Sequence, residues 1–365
     1  FPSISFINMD QNDFVERVRA RRLMISNEGK ITIGISPDID TNKPPIWFDQ
    51  SAFLHAQKLF KTYGAIIRIS QFYGLLLVLH DPYGATPLLC TGNSRTVSKL
   101  FRRYLSTIIR VNDWFKDDPF NVESDSYRQL RTVRGMHKSV AKKMNENGRF
   151  MENGKPKLWI PQHGMCIAQF TFVGFMAIFP KKLGFHNFTN EDFHAMFHFW
   201  RVIGYCLGTD DRYNLCSGTD EETIELCRQI YFEQWLPAMK SNPYTEGIAM
   251  SRGICLAMSE LDSYLNYNLL MNYGAPFLQL NPNAYPLTVS EKLSYYSLKM
   301  FYDFGSKFSL VNWTATKYAL ISIDRAINNC DQIERKLQQK YADLKYENSY
   351  NDCPFTVNID YSDAF

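Results

Sequence analysis

A histidine lies on the apolar stripe of a basic helix. In Leu130 to Met144, LRTVRGMHKSVAKKM, helical spacing places Leu130, Val133, His137, Val140, Ala141 and Met144 on one side, with Arg134, Lys138, Lys142 and Lys143 off it. An inward-facing imidazole is either a hydrogen-bonded core residue or a ligand, and the pattern alone leaves both open. A second pair, His194 and His198, is spaced i, i+4, so both rings can share one metal, with Glu191 and Asp192 close by. The residues between them are Ala195, Met196 and Phe197, so the glutamate base of an HExxH site is missing and no third ligand is in view. The plainer reading is two histidines half-buried among Phe193, Phe197 and Phe199. GxSxG, GxxxxGK[ST], CxxC and a GxGxxG leading into a sheet pattern do not occur. Hydrolase, NTPase, zinc-ribbon and Rossmann readings therefore lack support.

The elements that must position these side chains are almost all helical. Asp49 or Ser51 can cap a helix through Tyr63, and a second apolar run reaches His80. DPYGATP, Asp81 to Pro87, reads as a turn. The next helix opens at Thr91-Gly92-Asn93-Ser94 and runs towards Trp114. A polar linker, 116–126, leads into the His137 helix, and the Gly- and Asn-rich stretch 145–157 reads as a loop. An apolar helix over 164–179 stops at Pro180, and Thr189 with Asp192 makes a capping-box start for the next. Further helices are expected over 220–239, 248–273, 286–304 and 314–345. Runs of β-branched residues are scarce, and no solenoid-period repeat occurs. The expectation is a mainly α chain: a lead-in over 1–47 with a short polar helix near Asp10 to Met24, one large helical domain over 48–345, and a tail over 346–365.

Composition narrows the function classes. Of 365 residues, 45% are apolar and 15% aromatic, enough for a large core or an apolar cavity. A net charge of +3 with scattered basic residues gives no case for nucleic acid. No segment has the ~18 consecutive apolar residues that span a bilayer: Gly64 to His80 is interrupted by Arg68, Ser70 and Gln71, and Met165 to Phe179 is short and holds Gln169. The chain opens FPSISF, the sequons Asn187-Phe-Thr and Asn312-Trp-Thr are glycosylation candidates, and the eight cysteines are even in number. These features lead to the expectation of a processed, secreted, disulfide-bearing glycoprotein.

Longer segments carry a resemblance. RTVRGMHKSV (131–140), CIAQFTFVGFMAI (166–178), LGF (183–185) and FHFWRVIGYCLG (197–208) follow in the order seen in the rubber-oxygenase catalytic domain, the family of the latex-clearing proteins and a fungal mycophenolic-acid-pathway oxygenase. FDQSAFLHAQKLFKTYG (48–64) and Thr91-Gly92 followed by Arg103 and Thr107 agree more weakly, and the likeness runs from about 48 to 230. It implies a globin-like helical core binding one heme b, with the histidine of V-R-x-x-H, here His137, as axial iron ligand. The family's distal Arg-x-x-Lys-Thr corresponds to Arg103-Tyr104-Leu105-Ser106-Thr107, with Ser106 in place of the lysine. The family's histidine two positions before a threonine corresponds to Gln169, with Thr171 following.

The implied activity is dioxygen activation and oxidative cleavage of an apolar, unsaturated substrate such as a polyisoprenoid or lipid. Arg103 and Thr107 would polarise the oxygen, and Gln169 and Thr171 would line the heme pocket. Ser106 and Gln169 also fit a second class, a secreted heme- or lipid-binding protein that keeps the pocket without turnover. Away from the resemblance, Arg103 reads as a solvated charge, and Thr107, Gln169 and Thr171 as makers of local helix hydrogen bonds.

Overall fold

The computed structural model describes residues 4–146, 151–152 and 155–346. Fourteen α-helices follow in order: α1 Ile4–Ile31, α2 Gln50–Val78, α3 Pro82–Cys90, α4 Val97–Trp114, α5 Asp125–Glu146, α6 Gln162–Ile178, α7 Asn190–Leu207, α8 Asp220–Gln229, α9 Leu236–Ser241, α10 Thr245–Met258, α11 Tyr267–Leu278, α12 Val289–Asp303, α13 Ser309–Asn328 and α14 Cys330–Lys340. A π-helical stretch, Ile230–Trp235, makes α8 and α9 continuous. Within 145–157 the described residues form a minimal hairpin, Met151–Glu152 against Lys155–Pro156. The mainly α class holds.

The centre is α6. It is apolar all round and buried on nearly every face, as a helix enclosed by others must be. It packs on α2, on α1 and α8, and on α7, while α4 packs on α5, α10 and α14. Phe60, Phe115 and Phe199 stack face to face between α2, the end of α4 and α7, with centroids 3.9 and 3.8 Å apart. The two ring contacts fix how those helices meet.

Several elements differ from the sequence reading. The two apolar runs after Asp49 are one helix, α2, because Asp49 caps it by accepting from Ser51 N and Ala52 N and nothing inside breaks it. DPYGATP is not a turn. Asp81 accepts from Tyr83 N as the N-cap and Pro82 takes the first helical position, so the same residues that signal a turn start α3. The 248–273 helix breaks between Met258 and Tyr267, and the last long helix divides at Asn329. The Thr189–Asp192 capping box is present as expected.

α1 is longer than the short polar helix of a lead-in. It buries Val18 and Ile25, and Arg22 reaches Glu233 at 2.8 Å. The residues after it pin the start of α6, where Gln162 N donates to Thr32 O at 3.0 Å. The tail beyond Tyr346 lies outside the described residues. Among the described residues, no single helix is long and apolar enough to cross a membrane; only α2 and α3 together pass by length and composition, and they are bent by 91°.

A disulfide framework joining all eight cysteines does not exist. Cys166, Cys206, Cys216, Cys227, Cys255 and Cys330 are buried free thiols in helical packing, and burial pushes Cys166 and Cys206 up to about 12. Cys90 is not among the free thiols.

Candidate active-site cavity

A cavity of about 320 Å³ lies among α4, α5, α6 and α7, with α2 and α3 closing one end. Its walls are chiefly apolar, from Leu75, Val133, Met136, Ile167, Phe172 and Ile203. Trp200 stacks on Phe172 at 4.2 Å as part of the same wall. Into this space come His137 from α5, Arg103, Ser106 and Thr107 from α4, Gln169 and Thr171 from α6, and His163 from the first turn of α6. The five residues assigned to the heme site at the level of sequence, His137, Arg103, Thr107, Gln169 and Thr171, therefore border one cavity, although they come from three helices.

His137 is half-buried against the cavity, and its Nδ1 is buried with no hydrogen-bond partner among the described residues. Burial first, and the nearby Arg103 charge second, lower its pKa from 6.5 to about 4. The imidazole is therefore neutral near pH 7 and keeps a ring lone pair for a Lewis acid. Pattern alone left His137 either a satisfied core histidine or a ligand. Its Nδ1 has no hydrogen-bond partner among the described residues, and the ring borders the cavity.

On the facing helix, Arg103 Nη1 donates to Leu88 O at 3.2 Å, Thr91 Oγ1 at 3.2 Å and Ser94 Oγ at 2.9 Å. The guanidinium is tied to the α3–α4 connection rather than lying free in solvent. Its Nε and Nη2 make no hydrogen bond among the described residues. Thr107 Oγ1 donates to Arg103 O at 3.0 Å, the local helix bond expected of a threonine, and retains acceptor capacity. Ser106 is fully buried and accepts from Arg110 Nε at 3.3 Å.

Gln169 is committed elsewhere. Its Nε2 donates to Trp200 O at 2.7 Å and Asn214 Oδ1 at 2.8 Å, and its Oε1 accepts from Leu215 N at 2.9 Å. The side chain clamps α6 to α7 and the segment after it. Gly204 makes room for that clamp, since a Cβ there would fall 2.5 Å from Gln169 Nε2. Thr171 Oγ1 donates back to Ala168 O at 2.7 Å. Both residues border the cavity, as a pocket-lining role requires, while these hydrogen bonds commit their polar atoms to the scaffold.

A family model described as "ER-bound oxygenase mpaB/B'/Rubber oxygenase, catalytic domain" matches residues 63–249, just over half of the chain. The chain belongs to this family. A solved structure of a latex clearing protein in its closed state is similar in fold, with a TM-score of 0.58 over 86% of each chain at 16% identity. No curated protein matches. The family region covers the whole cavity wall from α2 to α7, including the V-R-x-x-H and WRVIGYCLG segments.

Within this family framework, the conspicuous residues of those segments divide by role. Arg134 donates to Ser36 O at 3.2 Å and to Thr41 Oγ1, tying α5 to the segment before α2. Arg201 forms a two-point pair with Asp211 at 2.9 and 2.7 Å, 4.0 Å above the Trp47 ring. Both arginines are scaffold. The sequence reading missed His163, Trp114 and Arg110 on the cavity wall. The signal for Arg110 was its place seven residues after Arg103, two helical turns on along the same face.

The zinc reading is not supported. His198 Nε2 accepts from Asp49 N at 3.0 Å, while His194 Nδ1 faces Asp220 at 3.1 Å and Asp192 pairs with His55 at 2.6 Å. Their ligand atoms point to separate partners. Among the described residues, Cys330, Asp331 and Glu334 alone come close enough to share an ion, and Arg102 already meets both carboxylates at 2.9 and 2.7 Å. The two sequons also separate. Asn187 is exposed, whereas Asn312 is 0% exposed and donates to Ser306 O at 2.7 Å, so a glycan on Asn312 is incompatible with the packing.

Proposed function

We propose that this chain is a heme b-dependent oxygenase-like protein that uses dioxygen on an apolar, unsaturated, isoprenoid- or lipid-like substrate. The observation that carries the reading is His137: a neutral imidazole with a buried, unpartnered nitrogen, bordering an apolar cavity in a rubber-oxygenase-family chain. The donor set fits the group, because neutral histidine is a usual heme ligand and apolar walls shelter the macrocycle from water. Heme iron, when bound, supplies the binding and activation of dioxygen.

The chain's own residues supply the rest. His137 holds the iron from α5. Arg103 Nε and Nη2, anchored through Nη1, donate hydrogen bonds to an oxygen atom in the cavity, and the Thr107 hydroxyl sits one helical turn on. Met136, Ile167, Phe172 and Ile203 hold an alkene chain by apolar contact and exclude water. With Ser106 in place of the family lysine and its hydroxyl engaged by Arg110, this chain offers no amine at that position to occupy the iron.

Absorption spectroscopy on heme-reconstituted protein tests the assignment. A Soret band is expected in the parent chain and in His163→Ala, and it should be lost or strongly shifted in His137→Ala. A parent chain with no heme absorbance would end the reading. Loss of the band in His163→Ala but not in His137→Ala would move the ligand to α6. Oxygen uptake with a polyisoprenoid or unsaturated lipid then separates an oxygenase from a binder.

A further inference from the structure

Away from the cavity, one helix carries apolar residues on the face turned to solvent. On α12, Val289, Leu293, Tyr296 and Met300 recur at steps of four, three and four, and Phe304 follows at the helix end. They are 87%, 76%, 67%, 65% and 63% exposed. On the helical wheel this stripe lies opposite Leu298 and Tyr302, the buried residues through which α12 packs on the body. A surface helix ordinarily turns polar residues outward. The turn into α13 extends the stripe with Phe308 and Leu310.

The charges around the stripe share one sign. Between 289 and 321 stand four lysines, Lys292, Lys299, Lys307 and Lys317, against two acids, Glu291 and Asp303. Asp303 is paired with Lys299, and Glu291 closes the capping box with Thr288. Lys292, Lys307 and Lys317 have no carboxylate partner among the described residues, and Lys307 and Lys317 lie over the Phe304 and Trp313 rings at 5.1 and 5.6 Å. Exposed Lys181 and Lys182 add to the rim from the 3-10 turn Pro180–Leu183, which packs against α12.

We propose that α12 and the turn after it dock this protein onto an anionic lipid surface. The apolar stripe, about 22 Å long for a helix of this length, enters the headgroup boundary, and the lysines meet lipid phosphates and carboxylates. A second copy of the chain fits less well. A two-fold contact through this face would set the lysines against themselves, with no uncommitted carboxylate there to meet them. The inference goes beyond the heme assignment and does not depend on it.

The test is co-sedimentation of the full chain with phosphatidylcholine vesicles made with and without phosphatidylserine. Binding is expected with phosphatidylserine and should weaken as salt is raised. Reversing Lys292 and Lys307 together to Glu lowers the partition by about fivefold or more per lysine. Leu293→Ser with Met300→Ser should abolish most of it. These side chains are exposed, so both variants should keep the parent's thermal midpoint. Absence of vesicle binding, equal binding by the variants, or a dimer that Leu293→Ser disperses would each overturn the proposal, the last in favour of a second copy.

Discussion

Three histidines show how far a residue's role follows from its partners rather than its position. His80, His137 and His198 each titrate at about 4 because burial disfavours the imidazolium. His198 is settled by Asp49 N, which needs the neutral ring as acceptor. His137 borders the cavity. His80 has neither explanation, since both of its ring nitrogens are buried without a partner among the described residues. In all three the folded pKa lies below the unfolded value of 6.5. The unfolded chain therefore takes up protons first, and stability is full above 6.5 and lost as pH falls from 6.5 towards about 4. His80→Phe removes one of these groups and the two unpaired nitrogens together, so its melting temperature should fall less than the parent's over that pH window. An unchanged pH slope would show that His80 takes no part. The stripe of Leu130 to Met144 made His137 legible in the sequence. The duties of Gln169 were hidden, because its partners Trp200, Asn214 and Leu215 come from other elements and follow no local period.

Helix type was easier to read than helix ends. Apolar periodicity marks α4, α5 and α7, a continuous apolar run marks α6, and the Thr189 box marks where α7 begins. The signals fail where one residue type serves two purposes: Asp81-Pro82 starts a helix as readily as it makes a turn, and Pro87 lies inside the helix that follows. Helix spacing is less legible still, since it depends on what is absent. Gly74 on α2 meets the backbone of α6 so closely that a Cβ would fall 2.1 Å from Thr171 O. Backbone cannot rotate away as a side chain can, so Gly74→Ala must force α2 from α6 at the cavity's end. Destabilisation of about 1–3 kcal/mol is expected, read as a lower denaturant midpoint at unchanged slope. A variant as stable as the parent would mean that the two helices are not held at this distance.

At the scale of the molecule, the abundance of apolar and aromatic residues and the scarcity of β-branched runs were enough for the fold class. The boundary near residue 47 followed local polarity, and the packing cuts across it. α1 reads as polar because its cations are spent on partners nearly two hundred residues away or more: Arg21 donates to Asn214 O and Ser217 Oγ, both at 2.6 Å, and Arg22 to Glu233. Its far end reaches the cavity's frame, where a Cβ on Gly29 would lie 3.1 Å from His163 N. Val18 and Ile25, 1% and 2% exposed, would each contribute about 1.5–3 kcal/mol by burial. A chain lacking residues 1–31 should therefore lose about 3 kcal/mol or more from those two side chains alone. It should also loosen the start of α6, which carries His163 and, two turns on, Gln169 and Thr171. Chemical denaturation measures the first effect. The second follows from reconstitution, where the shortened chain should hold heme more weakly than the parent under conditions in which both are folded. If its midpoint and heme retention matched the parent's, α1 would be the peripheral lead-in that its sequence suggests; the geometry instead makes it a brace behind the start of α6, which lines the cavity.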